Sequence, residues 1–253
     1  MCRLFAFLGS GPERLDQYLC GPEPSLRALA SEHGDGWGIA RFAPGHTDVV
    51  KRATNAGDDP EFLKATEGAR ATALLAHIRW ASVGSVNEEN THPFRHGPWA
   101  FSHNGTVPFT AEERHRRLAF LPPELRARIR GTTDSELVFH LILADLLARE
   151  GKIDVPVQVA AASVAAVFKD LSKTPEHGDE PLGMNFLLMR ENGFCITRFR
   201  RELSVYQGVG DFGPYAMVAS EPLGDDEDAW WEVPEGSLLT VSTPGRVTVD
   251  RIL

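Results

Sequence analysis

The stretch MCRLFAFL at residues 1–8 contains an unbroken apolar run from Leu4 to Leu8. A short, continuous apolar run of this kind is typical of a strand that is buried on both faces. We therefore predict a buried strand over residues 2–8. Residues 37–42 and 47–51 predict two more strands, which pair across the turn Pro44-Gly45. The opening part of the chain is thus predicted to be rich in strands.

Helix signals dominate the middle of the chain. Thr133 and Glu136 have the spacing of a capping box, in which each side chain accepts a bond from an unpaired backbone N–H. The helix that follows is predicted to end at Gly151, since glycine favours the left-handed conformation of a helix C-terminus. A second helix is predicted over 155–171. A basic helical region over 114–130 is interrupted by two prolines.

Hairpin signals dominate the last part of the chain. Asn192-Gly193 and Pro244-Gly245 each separate two apolar runs, which predicts two hairpins. Earlier in the chain, the apolar runs 73–78 and 99–102 each end among polar residues, so two strand ends are expected to present polar groups. The order of strands, helices and strands predicts an α+β fold, in a single domain over 1–253.

Composition excludes several classes of protein. The 253 residues are 42% hydrophobic and 24% charged, which is ordinary for a globular chain. The formal net charge of −9 makes nucleic acid an unfavourable partner. The three cysteines, Cys2, Cys20 and Cys195, form no CxxC pair, which argues against a disulfide framework and favours a cytoplasmic setting. No apolar stretch is long enough to span a bilayer, so we expect no membrane segment.

Cys2 is the most informative single position. Removal of Met1 would place a thiol and a free α-amine on one residue. Near neutral pH the amine is partly unprotonated, so it can take the thiol proton directly or through water. Cys2 would then be a nucleophile with its own base. The alternative is a small apolar residue of a buried strand.

His103-Asn104-Gly105 follows the apolar run at Trp99. An Asn-Gly pair usually forms a turn. The Asn104 side-chain amide and the Gly105 backbone N–H can, however, converge on one point, as the stabilisation of an oxyanion in acyl transfer requires. The residues alone leave both interpretations open.

Two charged residues stand at element ends. Arg79 ends an apolar strand, where it needs solvent or a carboxylate partner, and an internal salt bridge is the simpler interpretation. Asp134 lies in the first turn of a predicted helix, where the helix dipole alone explains a carboxylate. Asp134 is equally able to bind a substrate ammonium.

Metal and nucleotide sites are not expected. His77, His92 and His103 would be the candidate ligands of a metallohydrolase, but the HExxH spacing and a thiolate pair are both missing. Residues 208–213 match G-x-G-x-x-G without a capped helix after them, so we infer no nucleotide site. The sequence therefore predicts no metal and no cofactor. Trp230-Trp231, Cys20 and Cys195 are expected to pack in the core.

The order of several short motifs along the chain is more specific than any one of them. Together they resemble the class II glutamine amidotransferases, which are N-terminal-nucleophile enzymes. The motifs cover about the first 150 residues, and residues 218–223 resemble a later segment of stand-alone members. The motifs are Met1-Cys2-Arg3, Gly36-Trp37-Gly38, His77-Ile78-Arg79-Trp80-Ala81-Ser82, Asn90-Thr91-His92-Pro93-Phe94, His103-Asn104-Gly105 and Thr133-Asp134-Ser135-Glu136.

The resemblance implies a four-layer αββα sandwich and a set of roles. Cys2 would attack the γ-carboxamide of a small γ-glutamyl substrate to form a thioester, with Asn104 and Gly105 as the oxyanion hole. Arg79, assisted by Ser82, would bind the substrate α-carboxylate, and Asp134 its α-ammonium. Water would then release glutamate.

The resemblance leaves three functions open. The chain looks closer to stand-alone members than to glutaminase–synthase fusions, since little length remains for an acceptor domain. It is similar to the ergothioneine-pathway amidase, which hydrolyses a γ-glutamyl amide. The first alternative is a glutaminase that supplies ammonia to a separate partner synthase. The second is a non-catalytic γ-glutamyl-binding regulatory module in which Met1 is retained.

Overall fold

The computed structural model describes residues 2–22, 24–30, 34–175 and 181–253. Within these ranges the order is mainly strands, then helices, then strands, as the sequence predicts, with three short helices among the early strands. The strands are β1 (Arg3–Arg14), β2 (Trp37–Ala43), β3 (His46–Arg52), β4 (Arg70–Ile78), β5 (Phe94–His96), β6 (Trp99–Thr106), β7 (Gly183–Arg190), β8 (Gly193–Arg198), β9 (Ser204–Gly210), β10 (Gly213–Ala219), β11 (Trp231–Glu232), β12 (Ser237–Thr243) and β13 (Arg246–Arg251). The helices are α1 (Asp16–Leu19), α2 (Leu26–Leu29), α3 (Pro60–Thr66), α4 (Ala111–Phe120), α5 (Pro123–Arg126), α6 (Asp134–Glu150) and α7 (Val157–Leu171).

The strands form two sheets. The first has the order β11-β9-β10-β1-β4-β2-β3, and the second has the order β13-β12-β8-β7-β6-β5. Neighbouring strands pair antiparallel, including β1 with both β4 and β10. The strand that begins at Arg3 therefore lies at the centre of the first sheet, with a partner on each side.

Side-chain alternation along β1 explains how the layers stack. Leu4, Ala6 and Leu8 point into a core shared with residues of the second sheet, such as Leu187 and Phe194. The intervening Phe5 and Phe7 point to the opposite face, where they pack with residues of α1, α2 and α3. Because side chains of a strand alternate between faces, one apolar run supplies both cores.

The second sheet is covered on its outer face by α6 and α7. Phe139, Ile142 and Val164 of these helices pack with Phe101 and Phe186 of the sheet in a third core. The layers are thus helices, sheet, sheet and helices. This arrangement confirms the α+β class and matches the four-layer αββα sandwich that the resemblance implies.

Most of the local predictions are confirmed. The Asn192-Gly193 hairpin joins β7 to β8, and Pro244-Gly245 joins β12 to β13. Gly151 ends α6 in the left-handed conformation with φ +68°. The helical region over 114–130 is split into α4 and α5. Residues 208–213 lie in the hairpin of β9 and β10, with the turn at 211–212.

Two local predictions are wrong. Thr133 caps α6 by accepting the backbone N–H of Glu136, but the Glu136 carboxylate does not return the bond. It accepts the N–H groups of Arg130 and Gly131 instead, and so holds the loop before the helix. Trp230 is buried, as expected for the core, whereas Trp231 lies 38% exposed on the edge strand β11.

The Gly36-Trp37-Gly38 motif allows the backbone of β2 to approach the backbone at His92 closely. A Cβ on Gly38 would lie only 2.1 Å from the His92 carbonyl oxygen, so glycine is required for this approach. Trp37 is fully buried and donates its indole N–H to Asp59 at 3.0 Å. The motif therefore fixes the segment around His92 against β2. Among the described helices, none is long and apolar enough to cross a membrane.

Candidate active site

Strand ends from both sheets meet beside the N-terminus of α6. Cys2 precedes β1, and Arg79 follows β4, whose Ile78 pairs with Arg3 of β1. Asn104 and Gly105 lie near the end of β6 in the other sheet, and Asp134 is the first residue of α6. The packing of the two sheets thus gathers residues that lie far apart in sequence.

The Cys2 thiol is half-buried and contacts the backbone of Trp80. The Trp80 N–H donates to Sγ at 3.1 Å, and Sγ lies 3.3 Å from the Trp80 carbonyl oxygen. Burial raises the pKa of the Cys2 thiol, while the Trp80 N–H and the Arg79 charge oppose that rise. The thiol proton therefore needs a base before Sγ can act as a nucleophile.

Asn104 is buried and held by a serine from another strand end. Its Nδ2 donates to Ser220 Oγ at 3.0 Å, and the same Oγ accepts the Leu4 N–H at 3.0 Å. Ser220 follows β10 and also donates its own N–H to the Leu4 carbonyl. Ser220 therefore ties the strand of Cys2 to the strand of Asn104 across the two sheets.

Gly105 occupies a position that only glycine fits. Its φ is +141°, and a Cβ there would lie 2.1 Å from the Gly183 carbonyl oxygen of the neighbouring strand β7. The chain therefore does not turn at Asn104-Gly105, as an Asn-Gly pair usually would, and pairing with β7 continues to Thr106.

Arg79 is 2% exposed and points into the 83–85 loop. Its guanidinium donates to the carbonyl oxygens of Ser85 at 3.1 Å and Val83 at 3.0 Å. Burial lowers the pKa of Arg79, and the charges of Cys2, Asp35 and Asp134 oppose that fall. Arg79 does not form the internal salt bridge that the simpler interpretation predicts. Within the described ranges its hydrogen bonds go to neutral carbonyl groups.

Asp134 is buried at the start of α6. Its Oδ2 accepts the Val107 N–H at 2.7 Å and lies 3.8 Å from His103 Nδ1. Ser135 Oγ lies 3.0 Å from the same nitrogen, while His103 Nε2 donates to the Gly183 carbonyl oxygen at 2.9 Å. With Nε2 protonated, a neutral His103 accepts a hydrogen bond at Nδ1.

Asn90 links the surroundings of Arg79 to those of Asp134. Its Nδ2 donates to the Ser85 carbonyl, which also accepts from Arg79, and its Oδ1 accepts the Thr132 N–H at 2.7 Å. Asn90 is 1% exposed. A single buried amide therefore fixes the separation between the 83–85 loop and the segment that precedes α6.

Two adjoining cavities contain the six residues singled out in the sequence. A cavity of about 250 Å³ is lined by Cys2, Trp80, Ser82, Asn104, Gly105, Thr106 and Arg201. A recess of about 20 Å³ shares Cys2, Ser82 and Gly105 with it and is also lined by Arg79 and Asp134. Ser82 Oγ and Thr106 Oγ1 lie 3.0 Å apart at the boundary.

Comparison with known proteins assigns the family. A sequence profile of the glutamine amidotransferases class-II matches residues 1–197. The chain belongs to the class II glutamine amidotransferases. A probable glutamine amidotransferase of Saccharomyces cerevisiae is 26% identical over 292 residues, covering 95% of this chain and 82% of that protein. The gamma-glutamyl-hercynylcysteine sulfoxide hydrolase of Mycobacterium tuberculosis is 27% identical over 255 residues, covering 97% and 94%.

Solved structures show the same fold. A glutamine aminotransferase class-II domain protein from Silicibacter pomeroyi superposes with a TM-score of 0.70 at 21% identity, covering 99% of both chains. A predicted glutamine amidotransferase from Pseudomonas aeruginosa gives a TM-score of 0.66 at 20% identity, covering 98% of this chain and 100% of that one. The class II amidotransferase described here is therefore an enzyme with the N-terminal-nucleophile fold, and its relatives support hydrolysis of the glutamine amidotransferase type.

Three buried histidines of this amidotransferase, His77, His92 and His103, lie at the site, and His92 and His103 line the recess. The rings of His77 and His92 lie 4.2 Å apart, and His77 Nε2 donates to the His103 carbonyl oxygen at 3.2 Å. Burial lowers the pKa of His77 to about 3 and that of His92 well below its usual value. The described residues contain no group of three or more side chains arranged to hold a metal ion.

The buried histidines predict a loss of stability in acid. The pKa of His77 is about 3 in the folded chain and 6.5 without the fold, so between these values the unfolded chain binds more protons. The free energy of unfolding therefore falls as pH drops from 6.5 towards 3, by about 1.4 kcal/mol per pH unit for each such proton. When the free energy of unfolding is measured in urea between pH 6.5 and 4, it should fall less steeply with decreasing pH in His77→Gln than in the wild-type protein. The difference in slope should correspond to about one proton. Parallel pH curves for the two proteins would show that His77 does not carry this dependence.

Proposed function

We propose that this amidotransferase hydrolyses a γ-glutamyl amide, either glutamine or a γ-glutamyl conjugate, through a thioester on Cys2. The observation that supports this most is the shared space beside Cys2. One thiol adjoins two candidate oxyanion donors, Asn104 and Gly105, and a recess with one buried cation and one buried anion, Arg79 and Asp134.

The first step is attack by the thiol. In the proposed mature chain Met1 has been removed, and the α-amine of Cys2 takes the thiol proton, directly or through water. The sulfur then attacks the γ-carbonyl carbon of the substrate. The Trp80 N–H at 3.1 Å from Sγ orients the sulfur and stabilises its developing negative charge.

Asn104 and Gly105 are proposed to bind the oxyanion. Asn104 Nδ2 has two hydrogens, and its bond to Ser220 uses one of them and fixes the direction of the other. Because Ser220 and the strand pairing hold these groups before substrate arrives, the donors need little reorganisation as charge develops.

Arg79 and Asp134 are proposed to bind the two charges of the glutamyl group. A zwitterion that leaves water needs both of its charges matched, and these side chains bring opposite charges to one recess. Arg79, with Ser82, would bind the α-carboxylate, and Asp134 the α-ammonium. The neutral carbonyls around Arg79 leave its positive charge to be balanced by the ligand.

Collapse of the tetrahedral intermediate breaks the carbon–nitrogen bond. The ammonium of Cys2 returns its proton to the leaving nitrogen, so ammonia or an amine departs and the glutamyl group stays on sulfur. Water then attacks the thioester, with the α-amine again as base. Glutamate leaves and the thiol is restored.

Labelling with 6-diazo-5-oxo-L-norleucine tests the processed N-terminus, the nucleophile and the recess together. This glutamine analogue loses dinitrogen when it alkylates a nucleophile, and it needs its α-carboxylate and α-ammonium held in place. We expect cell-expressed protein to lack Met1 and to gain one adduct in its intact mass. Peptide mapping should place the adduct on Cys2 and leave Cys20 unmodified.

The labelling has two controls. Excess L-glutamate should slow adduct formation, because it competes for the same recess. The D-enantiomer of the analogue should react far more slowly, since it presents the ammonium on the wrong side. A chain that retains Met1 and gains no adduct, yet is stabilised by L-glutamate, would instead support the non-catalytic binding module.

A further inference from the structure

The larger cavity beside Cys2 contains a cation that the glutamyl group does not require. Arg201 lines this cavity together with Cys2, Asn104, Gly105 and Thr106, but it does not line the recess of Arg79 and Asp134. The site therefore has one arginine on the side proposed for the acyl group and a second arginine in the larger space beyond Cys2.

The loop that carries Arg201 is fixed by a buried amide. Asn185 is 1% exposed, and its Nδ2 donates to the carbonyl oxygens of Arg201 at 3.3 Å and Glu202 at 3.0 Å. Its Oδ1 accepts the Phe199 N–H at 2.9 Å. Asn185 also pairs in register with Asn104 on the neighbouring strand. The position of Arg201 is therefore set relative to the proposed oxyanion hole.

The Arg201 side chain lies against the backbone of the strand that borders the hole. A Cβ on Gly183 would lie 3.0 Å from both Nε and Cζ of Arg201, so the glycine makes room for the guanidinium. Gly183 pairs with Thr106, and its carbonyl is the group that excludes a side chain at Gly105. Arg201 and Gly105 therefore contact the same residue of β7.

The charge of Arg201 is not neutralised by the chain that the structure describes. Its guanidinium donates to the carbonyl oxygens of Arg200 at 3.1 Å and Pro181 at 3.4 Å, and no carboxylate of the described ranges forms a salt bridge with it. These two bonds leave further N–H donors for a ligand. A half-buried guanidinium with neutral partners is suited to bind a carboxylate in two-point fashion.

We propose that Arg201 forms a leaving-group subsite that binds the carboxylate of an amino acid or peptide joined through its amine to the γ-glutamyl group. The preferred substrates are then γ-glutamyl conjugates of α-amino acids, rather than glutamine or γ-glutamyl amides of uncharged amines. This inference rests on the proposed function. With the glutamyl zwitterion held by Arg79 and Asp134, and its γ-carbon at Cys2, the leaving amine extends into the larger cavity towards Arg201.

Two substrates that differ only in the carboxylate test the subsite. In γ-L-glutamyl-L-alanine the leaving amine carries a carboxylate, and in γ-L-glutamyl-ethylamide a hydrogen replaces it. Glutamate release by the processed protein should give a kcat/KM about 10- to 100-fold higher for the alanine conjugate, the range expected for a hydrogen bond to a charged group. Arg201→Gln should remove most of this preference, and Arg201→Lys should keep part of it, because lysine retains the charge but not the planar fork.

Arg200→Gln is the matched control. It removes the same charge from the neighbouring residue, whose guanidinium lies over the Phe199 ring and does not line the cavity. We expect this variant to keep the wild-type preference. Loss of the preference in Arg200→Gln as well as in Arg201→Gln would indicate a general effect of charge and overturn the subsite.

The remaining outcomes separate this inference from the proposed function. Equal kcat/KM for the two substrates in the wild-type protein, or equal losses on both in Arg201→Gln, would leave γ-glutamyl hydrolysis in place and overturn the subsite. In the second case Arg201 would act on the glutamyl group itself. Absence of turnover on both substrates, in protein shown by mass to begin at Cys2, would overturn the proposed function and the subsite with it.

Discussion

Replacement of Cys2 by alanine is expected to lower γ-glutamyl hydrolysis by roughly 10⁴-fold or more, because it removes the atom that forms the thioester. Alanine is as small as cysteine, so Met1 should still be removed and the α-amine retained. The variant therefore measures the contribution of the thiol to the reaction separately from that of the α-amine. The measurement is glutamate release at saturating substrate, with the N-terminus of each protein confirmed by intact mass.

The matched control is Cys20→Ala. Cys20 is also a half-buried thiol, but it packs in the core on the outer side of the first sheet and does not line either cavity beside Cys2. This variant should keep wild-type turnover. Hydrolysis in Cys2→Ala within tenfold of the wild-type rate would mean that another group attacks the substrate, and the Cys2 mechanism would be wrong.

The sequence was sufficient to predict the α+β class because its local signals agree with its long-range packing, whereas the four-layer arrangement was implied by the resemblance to the class II glutamine amidotransferases. The apolar run after Cys2 predicts a doubly buried strand, and β1 is buried on both faces between two cores. Asn192-Gly193 and Gly151 act locally, so their effects do not depend on distant residues. Agreement of this kind between local and global preferences is typical of natural sequences.

The sequence did not predict which residues hold the site together. Ser220 and Asn90 are small polar residues whose importance lies in bonds to segments far away in the chain, Ser220 to Leu4 and Asn104, and Asn90 to the 83–85 loop and Thr132. Such contacts leave no periodic signal. Both residues lie in segments that carry the family resemblance, Asn90 in 90–94 and Ser220 in 218–223, but those segments do not show what either side chain contacts. The sheet order places Ser220 beside β1.

Glu136 shows how a correct motif can lead to a wrong contact. The Thr133–Glu136 spacing satisfies a capping box, yet the Glu136 carboxylate accepts the N–H groups of Arg130 and Gly131. Those loop groups would otherwise lack acceptors near the buried start of α6, and a carboxylate satisfies two of them at once. A fully formed capping box is present at Thr110 and Glu113 of α4.

Asp134→Asn is expected to lower kcat/KM for γ-glutamyl substrates about 10²- to 10³-fold, because it leaves a desolvated ammonium without a counter-charge. The loss should appear mainly in KM, since the ammonium keeps its charge throughout the reaction. Asparagine preserves an oxygen for the Val107 N–H, so the contact that holds the end of β6 can remain. The loss of a carboxylate from the first turn of α6 should cost about 0.3–1 kcal/mol of stability in urea unfolding.

A substrate without the ammonium separates binding from structure at Asp134. The monoamide of glutaric acid differs from glutamine only by replacement of the α-ammonium with hydrogen. If Asp134 binds that group, the wild-type protein should use the glutaric amide poorly, and Asp134→Asn should reduce its turnover far less than that of glutamine. Equal losses on the two substrates would instead show that Asp134 acts only through the Val107 N–H and the first turn of α6. Arg79 and the substrate α-carboxylate are unchanged in this comparison, so it measures the contribution of the α-ammonium alone. The two side chains are held by different segments, Arg79 by the 83–85 loop and Asp134 by the Val107 N–H, so a change at Asp134 leaves the bonds of Arg79 in place.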